Sequence, residues 1–200
     1  MNFQDTQLIG VLARAESTVS SLSSLLGGLV EKFAARGYSL YLVGGSVRDA
    51  LLGRLGNDLD FTTPARPEVV KEILDEWAET VWDTGIDFGT VSAAYKGQQI
   101  EITTFRSDSY DGQSRNPEVV YGDTLEGDLV RRDFKANAMA IELLADASFK
   151  FHDPLHGLQD IADRVLDTPD KPEISFHDDP LRMLRAARFA SQLEFRVADR

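Results

Sequence analysis

The sequence predicts an α/β (α+β) fold, a mixed β-sheet with flanking helices, followed by an α-helical segment. Three observations carry that expectation. Strand-type runs recur at 38–43, 58–63, 90–95 and 99–105. Helical periodicity separates the first three of them, and helical patterns dominate from residue 134 onward. The 200 residues are 42% apolar, enough to bury a real core.

Leu22, Leu25, Leu26, Leu29, Val30 and Phe33 form one helical stripe within 19–36, ending before Gly37. Tyr38–Val43 is a buried strand that runs directly into Gly44-Gly45 and a short helix to Leu52. Asp58–Thr63 is a second strand, and Pro67–Glu79 an amphipathic helix through Val69, Val70, Ile73, Leu74 and Trp77. Gly85–Thr90 reads either as a glycine hinge or as a plain turn into the next strand. Thr90–Tyr95 and Gln99–Phe105 form a hairpin closed at Lys96-Gly97-Gln98. Arg106–Glu118 is polar and long for a loop, which points to function or mobility. Helical patterns then cover 134–144, 155–163 and 180–193. The chain divides into an N-terminal helical extension (1–36), an α/β domain (37–150) and the start of a helical domain (151–200), truncated.

Composition excludes several classes. There is no cysteine, hence no disulfide and no cysteine–zinc site, and three scattered histidines do not make a histidine-rich metal site. No run approaches the roughly 18 apolar residues of a membrane helix, and the N-terminus lacks the basic region of a signal peptide. A cytoplasmic protein with no evident protein partner is the expectation. The net charge of −12 excludes a nucleic-acid-binding surface over the whole molecule, so any RNA contact is local or lies outside these residues.

The strongest chemical signal is Asp58-Leu59-Asp60. On a strand, residues two apart share a face, so both carboxylates converge while Leu59 and Phe61 face a core. Two adjacent carboxylates are costly without a cation, and hard divalent ions such as Mg²⁺ take oxygen ligands. A pair of such ions about 3.5–4 Å apart can activate a hydroxyl and stabilise a leaving phosphate oxygen. A solvated strand end is the plain alternative. Upstream, the strand entering Gly44-Gly45 and a helix start exposes backbone N–H groups suited to a triphosphate, with Arg48 able to add a bidentate contact. The same residues also fit an ordinary strand–turn–helix corner with an Arg48–Asp49 surface pair.

Further along, Arg131-Arg132-Asp133 precedes a helical pattern and on its own fits Asp133 as a helix cap with solvated arginines. Asp179-Pro180 has the form of a cap followed by proline. Capping does not explain Arg182, Arg185 and Arg188, which form a ridge that slips back about 60° per step. Asp179 and Arg182 are neighbours on that ridge. His152-Asp153 could suggest a metal phosphohydrolase, but no other histidine is spaced to complete one.

LVGGSVRDALLG, NDLDFTT, RRDFKANAMAI and DDPLRMLRAARFA, in that order, resemble the class II tRNA CCA-adding enzyme and bacterial poly(A) polymerase family, a branch of the DNA polymerase β-like nucleotidyltransferases. The resemblance runs from about Tyr38 to Leu193. It implies a nucleotidyltransferase head followed by an α-helical neck that reads the base. It implies that Asp58 and Asp60 are the catalytic, metal-binding carboxylates for two Mg²⁺ ions. Gly45 and Arg48 would hold the triphosphate, with Arg132 of the arginine pair, Arg131 remaining open. Asp179 and Arg182 would read the base edge, and Arg185 and Arg188 would also bind nucleotide. Glu101 is either a third metal ligand or an exposed strand residue. Asp178 stands where the family usually has Glu.

The implied reaction is template-independent addition of CMP and AMP from CTP and ATP to a tRNA 3′ end, with release of pyrophosphate. Poly(A) addition to RNA 3′ ends and a non-catalytic nucleotide- or RNA-binding module are the alternatives. The apolar side of the last helix (Met183, Leu184, Ala187, Ala190) and the acidic charge imply a fragment whose RNA-binding surface lies downstream.

Overall fold

The computed structural model of the chain describes residues 3–109 and 118–199. Helix α1 (Phe3–Ala35) buries Val11, Ala15, Val19, Leu22, Leu26, Leu29, Val30 and Phe33, a stripe with helical spacing. It ends where Gly37 N donates to Ala34 O and Tyr38 N to Phe33 O. The stripe expected over 19–36 is thus the second half of a longer helix. In its first half, among the residues whose burial is described, Val11 and Ala15 are the buried ones, set amid Arg, Glu, Ser and Thr, which weakens the periodic signal.

Strand β1 (Leu40–Val43) runs straight into α2 (Gly44–Leu51), followed by β2 (Asp58–Thr63), α3 (Pro67–Asp75) and β3 (Thr80–Trp82). Residues 86–88 form a single 3-10 turn ahead of β4 (Thr90–Tyr95). Lys96 and Gly97, at φ 47° and 77°, close β4 onto β5 (Gln98–Thr104) in a mirror-image turn that matches strand twist. Then come β6 (Arg106–Ser109), β7 (Glu118–Tyr121), α4 (Leu125–Val130), β8 (Ala140–Leu143), β9 (Phe149–His152), α5 (Gly157–Asp163) and β10 (Val165–Leu166). The described chain closes with α6 (Pro172–Asp178), α7 (Leu181–Leu193) and β11 (Arg196–Val197).

Seven strands form one sheet in the order β3-β4-β5-β2-β1-β8-β9, in which β2 and β5 are parallel and the other pairs antiparallel. This is the mixed sheet with flanking helices that the sequence predicts. Strand periodicity then sorts the residues by face. Leu40, Leu42, Leu59, Phe61, Ile100 and Ile102 join the core under α1, α2 and α3. Their alternates Tyr41, Val43, Asp58, Asp60, Glu101 and Thr103 take the opposite face, where α4 covers only part of the sheet. The uncovered part is where the site forms.

Two expectations are corrected. Residues 134–144 are not a helix: 135–137 form a 3-10 turn and 140–143 are β8, paired with both β1 and β9. Ala, Met and Leu are good helix formers, and a strand buried on both faces loses its alternation, so pairing overrides propensity. The span 106–118 is not one loop either, since Arg106–Ser109 and Glu118–Tyr121 form an antiparallel ladder. Its centre, 110–117, lies outside the described residues.

Candidate active site

The β1–α2 junction is shaped by one glycine. Gly44 has φ +65°, and a Cβ there would sit 2.8 Å from Arg132 Nη1. The backbone therefore turns sharply and lets a guanidinium lie against it. One turn on, Arg48 is only 5% exposed. It donates from Nε to Asp49 Oδ1 (2.9 Å) and from Nη1 to Asn137 Oδ1 (2.7 Å), and lies over the Phe189 ring at 5.0 Å. Its Nη2 faces Gly45, 3.4 Å from where a Cβ would be.

Ser46 ties this turn to β2. Its hydroxyl accepts from Asp60 N at 2.9 Å and donates to Asp58 O at 3.4 Å. The carboxylates of Asp58 and Asp60 point out of the sheet together while Leu59 and Phe61 are each 1% exposed beneath them. Burial raises the Asp60 carboxyl above the usual range, and Glu101 and Asp58 push it further, against the pull of Arg132 and Arg48. Glu101 sits directly beside Asp60 in the parallel β2–β5 register. Three acids thus crowd one sheet face, and a cation there would relieve the repulsion. Among the described residues no three carboxylates or histidines close into a ready-made metal cage. One or two carboxylates supplemented by phosphate oxygens is the ligation Mg²⁺ favours, so the donor set fits it.

Opposite the acids, Asp128 is fully buried and gathers the arginine pair. Its Oδ1 accepts from Arg131 Nη2 and its Oδ2 from Arg132 Nη2, both at 2.9 Å, and Arg106 N donates to Oδ1 at 3.1 Å. Burial works against this carboxylate, yet Arg132 and Arg131 together hold it below the ordinary range. Arg132 is the arginine that reaches Gly44 and acts on Asp60, whereas Arg131 also lines a separate depression beside α6. Asp133 accepts from Phe134 N (2.9 Å) and Asn137 Nδ2 (3.0 Å) through Oδ1, and from Arg185 Nε (2.7 Å) through Oδ2.

On the last helices, Asp179 accepts from Leu181 N at 3.0 Å, so it does help to start α7, and its Oδ2 stands 4.0 Å from Arg182 Nε. Arg182 donates to Ser175 Oγ (2.8 Å) and to the carbonyl of Arg131 (2.7 Å). Arg185 and Arg188 flank Phe189, at 5.8 and 4.8 Å from its ring centre. The outward side of α7 exposes Leu181, Met183 and Leu184, whereas Ala186, Phe189 and Leu193 are buried. His152 and Asp153 do not act together. His152 meets Glu142 at 3.3 Å, while Asp153 accepts from Gly157 N and Leu158 N at the start of α5.

One cavity of about 770 Å³ collects Asp58, Asp60, Gly45, Arg48, Arg132, Asp179, Arg182, Arg185 and Arg188, with Glu101 and Arg131 on the same wall. Eight arginines line it against six carboxylates, in a chain whose net charge is −12. The positive charge is concentrated where a polyanion could enter. Sequence reasoning missed Ser46, Asp128, Asn137 and Phe189, because none stands in a pattern that separates positioning from ordinary packing. A buried acid three and four residues before an arginine pair was the one available signal for Asp128.

A family profile described as the poly A polymerase head domain matches residues 40–167. A CCA-adding enzyme of Listeria innocua is 43% identical over 170 residues, covering 84% of this chain and 41% of the relative. That of Lactobacillus helveticus is 44% identical over 165 residues, covering 82% and 39%. The Bacillus stearothermophilus CCA-adding enzyme in complex with CTP superposes with TM-score 0.73 at 37% identity, covering 88% of this chain and 41% of that one. A tRNA nucleotidyltransferase complexed with a primer tRNA and an incoming ATP analogue gives 0.70 at 32% identity, covering 90% and 46%. The chain therefore spans about two fifths of the length of the curated relatives it matches. With a profile matched over more than half its length and close relatives over most of it, the chain belongs to the poly A polymerase head domain family.

Proposed function

We propose that the protein carrying this chain is a template-independent nucleotidyltransferase that adds CMP and AMP from CTP and ATP to the 3′ end of tRNA, completing the CCA terminus and releasing pyrophosphate. The observation that carries this reading is the single cavity that sets Asp58 and Asp60 against a wall of arginines. Relatives named CCA-adding enzymes, and solved neighbours holding CTP or tRNA with an ATP analogue, support the choice of substrates. On this reading 37–150 is the head, 151–200 begins the neck and 1–36 is a helical extension.

Asp58 and Asp60 would hold Mg²⁺, with two ions expected and Glu101 alongside. The metal would lower the pKa of the attacking hydroxyl and screen phosphate charge. The residues of the chain then do the remaining work. Arg48 and Arg132 neutralise and orient the triphosphate so that its α-phosphate faces the RNA hydroxyl in line, with pyrophosphate on the arginine side. Gly45 leaves backbone room for the phosphates beside Arg48. Asp179 presents an acceptor to the base edge, and Arg182, fixed by Ser175 and the Arg131 carbonyl, presents donors. Arg185 and Arg188 add charge along the neck side. Retaining a costly carboxylate pair argues against a non-catalytic binding module.

The family profile is described by poly(A) polymerase, and poly(A) addition is the second reading. One assay separates the two. Given tRNA lacking its CCA end with CTP and ATP, the protein should add three nucleotides and stop, while a long adenylate ladder would favour the second reading. In the same assay Asp179→Ala should incorporate UTP and GTP that the wild type rejects. Unchanged selectivity in that variant would remove Asp179 from base reading and leave it the helix-starting role alone.

A further inference from the structure

Asn137 lies at the end of a 3-10 turn, 6% exposed, between two groups that belong to different parts of the site. Its Oδ1 accepts from Arg48 Nη1 at 2.7 Å, and its Nδ2 donates to Asp133 Oδ1 at 3.0 Å. Asp133 in turn accepts from Arg185 Nε at 2.7 Å through its other oxygen. A chain of hydrogen bonds therefore runs from the β1–α2 turn through Asn137 and Asp133 to helix α7. Arginine can only donate and an ionised carboxylate can only accept, so the group between them must do both. An amide satisfies this in one orientation, whereas a carboxylate would face Asp133 as a like charge.

The choice of a neutral group has an electrostatic consequence. Arg48 already has a carboxylate partner in Asp49, at 2.9 Å. A second carboxylate at position 137 would cancel the positive charge that an incoming anion needs. Asn137 fixes the guanidinium without neutralising it and leaves Nη2 against Gly45 on the cavity wall. Phe189 supports the same guanidinium from the α7 side at 5.0 Å, so the arginine is held by a ring and an amide rather than by a second charge.

We infer that Asn137 is a positioning residue for the nucleotide triphosphate: through its amide it orients Arg48 with its charge intact and couples that orientation to Arg185 through Asp133. The inference rests on the nucleotidyltransferase reading. It concerns which residue sets the triphosphate preference of the site, and no contact between Asn137 and the nucleotide is required.

The test compares ATP with adenosine, which lacks the phosphates, binding to the protein carrying this chain. Wild type should prefer ATP. Asn137→Ala should weaken ATP roughly tenfold, the weight of one hydrogen bond to a charged group, and leave adenosine nearly unchanged. Asn137→Asp should weaken ATP more than Asn137→Ala at neutral pH. Its defect should shrink as pH falls, because the introduced carboxyl, beside Asp133, then takes up a proton and regains both the donor and the neutrality of the amide. The Asn137→Ala defect should not follow pH in this way. Equal losses of ATP and adenosine in both variants, with no pH-dependent recovery, would mean a merely structural role and overturn the inference. ATP preference kept in both variants would overturn the inference alone. No ATP preference in wild type would overturn the functional reading and the inference with it.

Discussion

Asp58→Ala and Asp60→Ala are each expected to abolish nucleotide transfer, by at least about a hundredfold, the scale on which single groups stabilising transition-state charge act. The fold should survive, because both side chains stand on the open face of β2 and the core beneath is built by Leu59 and Phe61. The metal-free protein should even gain stability from Asp60→Asn. The Asp60 carboxyl is raised in the folded state, so the fold retains a proton that the unfolded chain has already released. Stability therefore falls as pH rises from the ordinary carboxylate range through the folded-state value, and the amide removes that loss. Melting temperatures measured without metal, alongside turnover at saturating Mg²⁺, check both halves. Near-normal turnover in either alanine variant would remove the carboxylate pair from catalysis.

Gly157→Ala is expected to have the largest effect on stability. A Cβ at this position would fall inside the contact distance of the Lys135 carbonyl oxygen and 2.8 Å from its carbon, with Met139 Cγ 3.1 Å away. The first two obstacles are backbone, which cannot swing aside, so α5 must move off the turn at 135–137. Overpacking of this kind costs about 1–3 kcal/mol or more. The displaced turn carries Asn137, so triphosphate affinity should fall together with the unfolding midpoint in urea. An unchanged midpoint would show that the turn yields at little cost.

The candidate site was more legible in the sequence than parts of the fold around it. Strand periodicity puts Asp58 and Asp60 on one face, and the resemblance of four motifs in order implies the chemistry of that face. The arginines of α7 were readable because their spacing leaves capping unable to explain them. All of these residues do line one cavity. The element beside it was misread for a physical reason. In 140–143 Ala140, Ile141 and Leu143 are buried and Glu142 only partly so, which leaves burial without a clear alternation and lets the helix-forming Ala and Met of 134–144 dominate the pattern. The supporting residues were illegible for a different reason. Asp128 holds an arginine pair three and four residues on, a spacing that ordinary surface ion pairs share, and Asn137 holds a side chain 89 residues away, a contact that no local pattern marks.

On the proposed function, Asp58 and Asp60 bind a divalent cation which, with the arginine wall, holds a nucleoside triphosphate. Calorimetric titration of a non-transferable CTP analogue into the protein carrying this chain, with and without Mg²⁺, tests it most directly. The predicted result is binding that strengthens by about tenfold or more on adding Mg²⁺, an increment worth about 1.4 kcal/mol, and that loses this increment in the Asp58→Asn, Asp60→Asn double variant. Equal affinity with and without the ion, or an increment that persists in the double variant, would contradict the account.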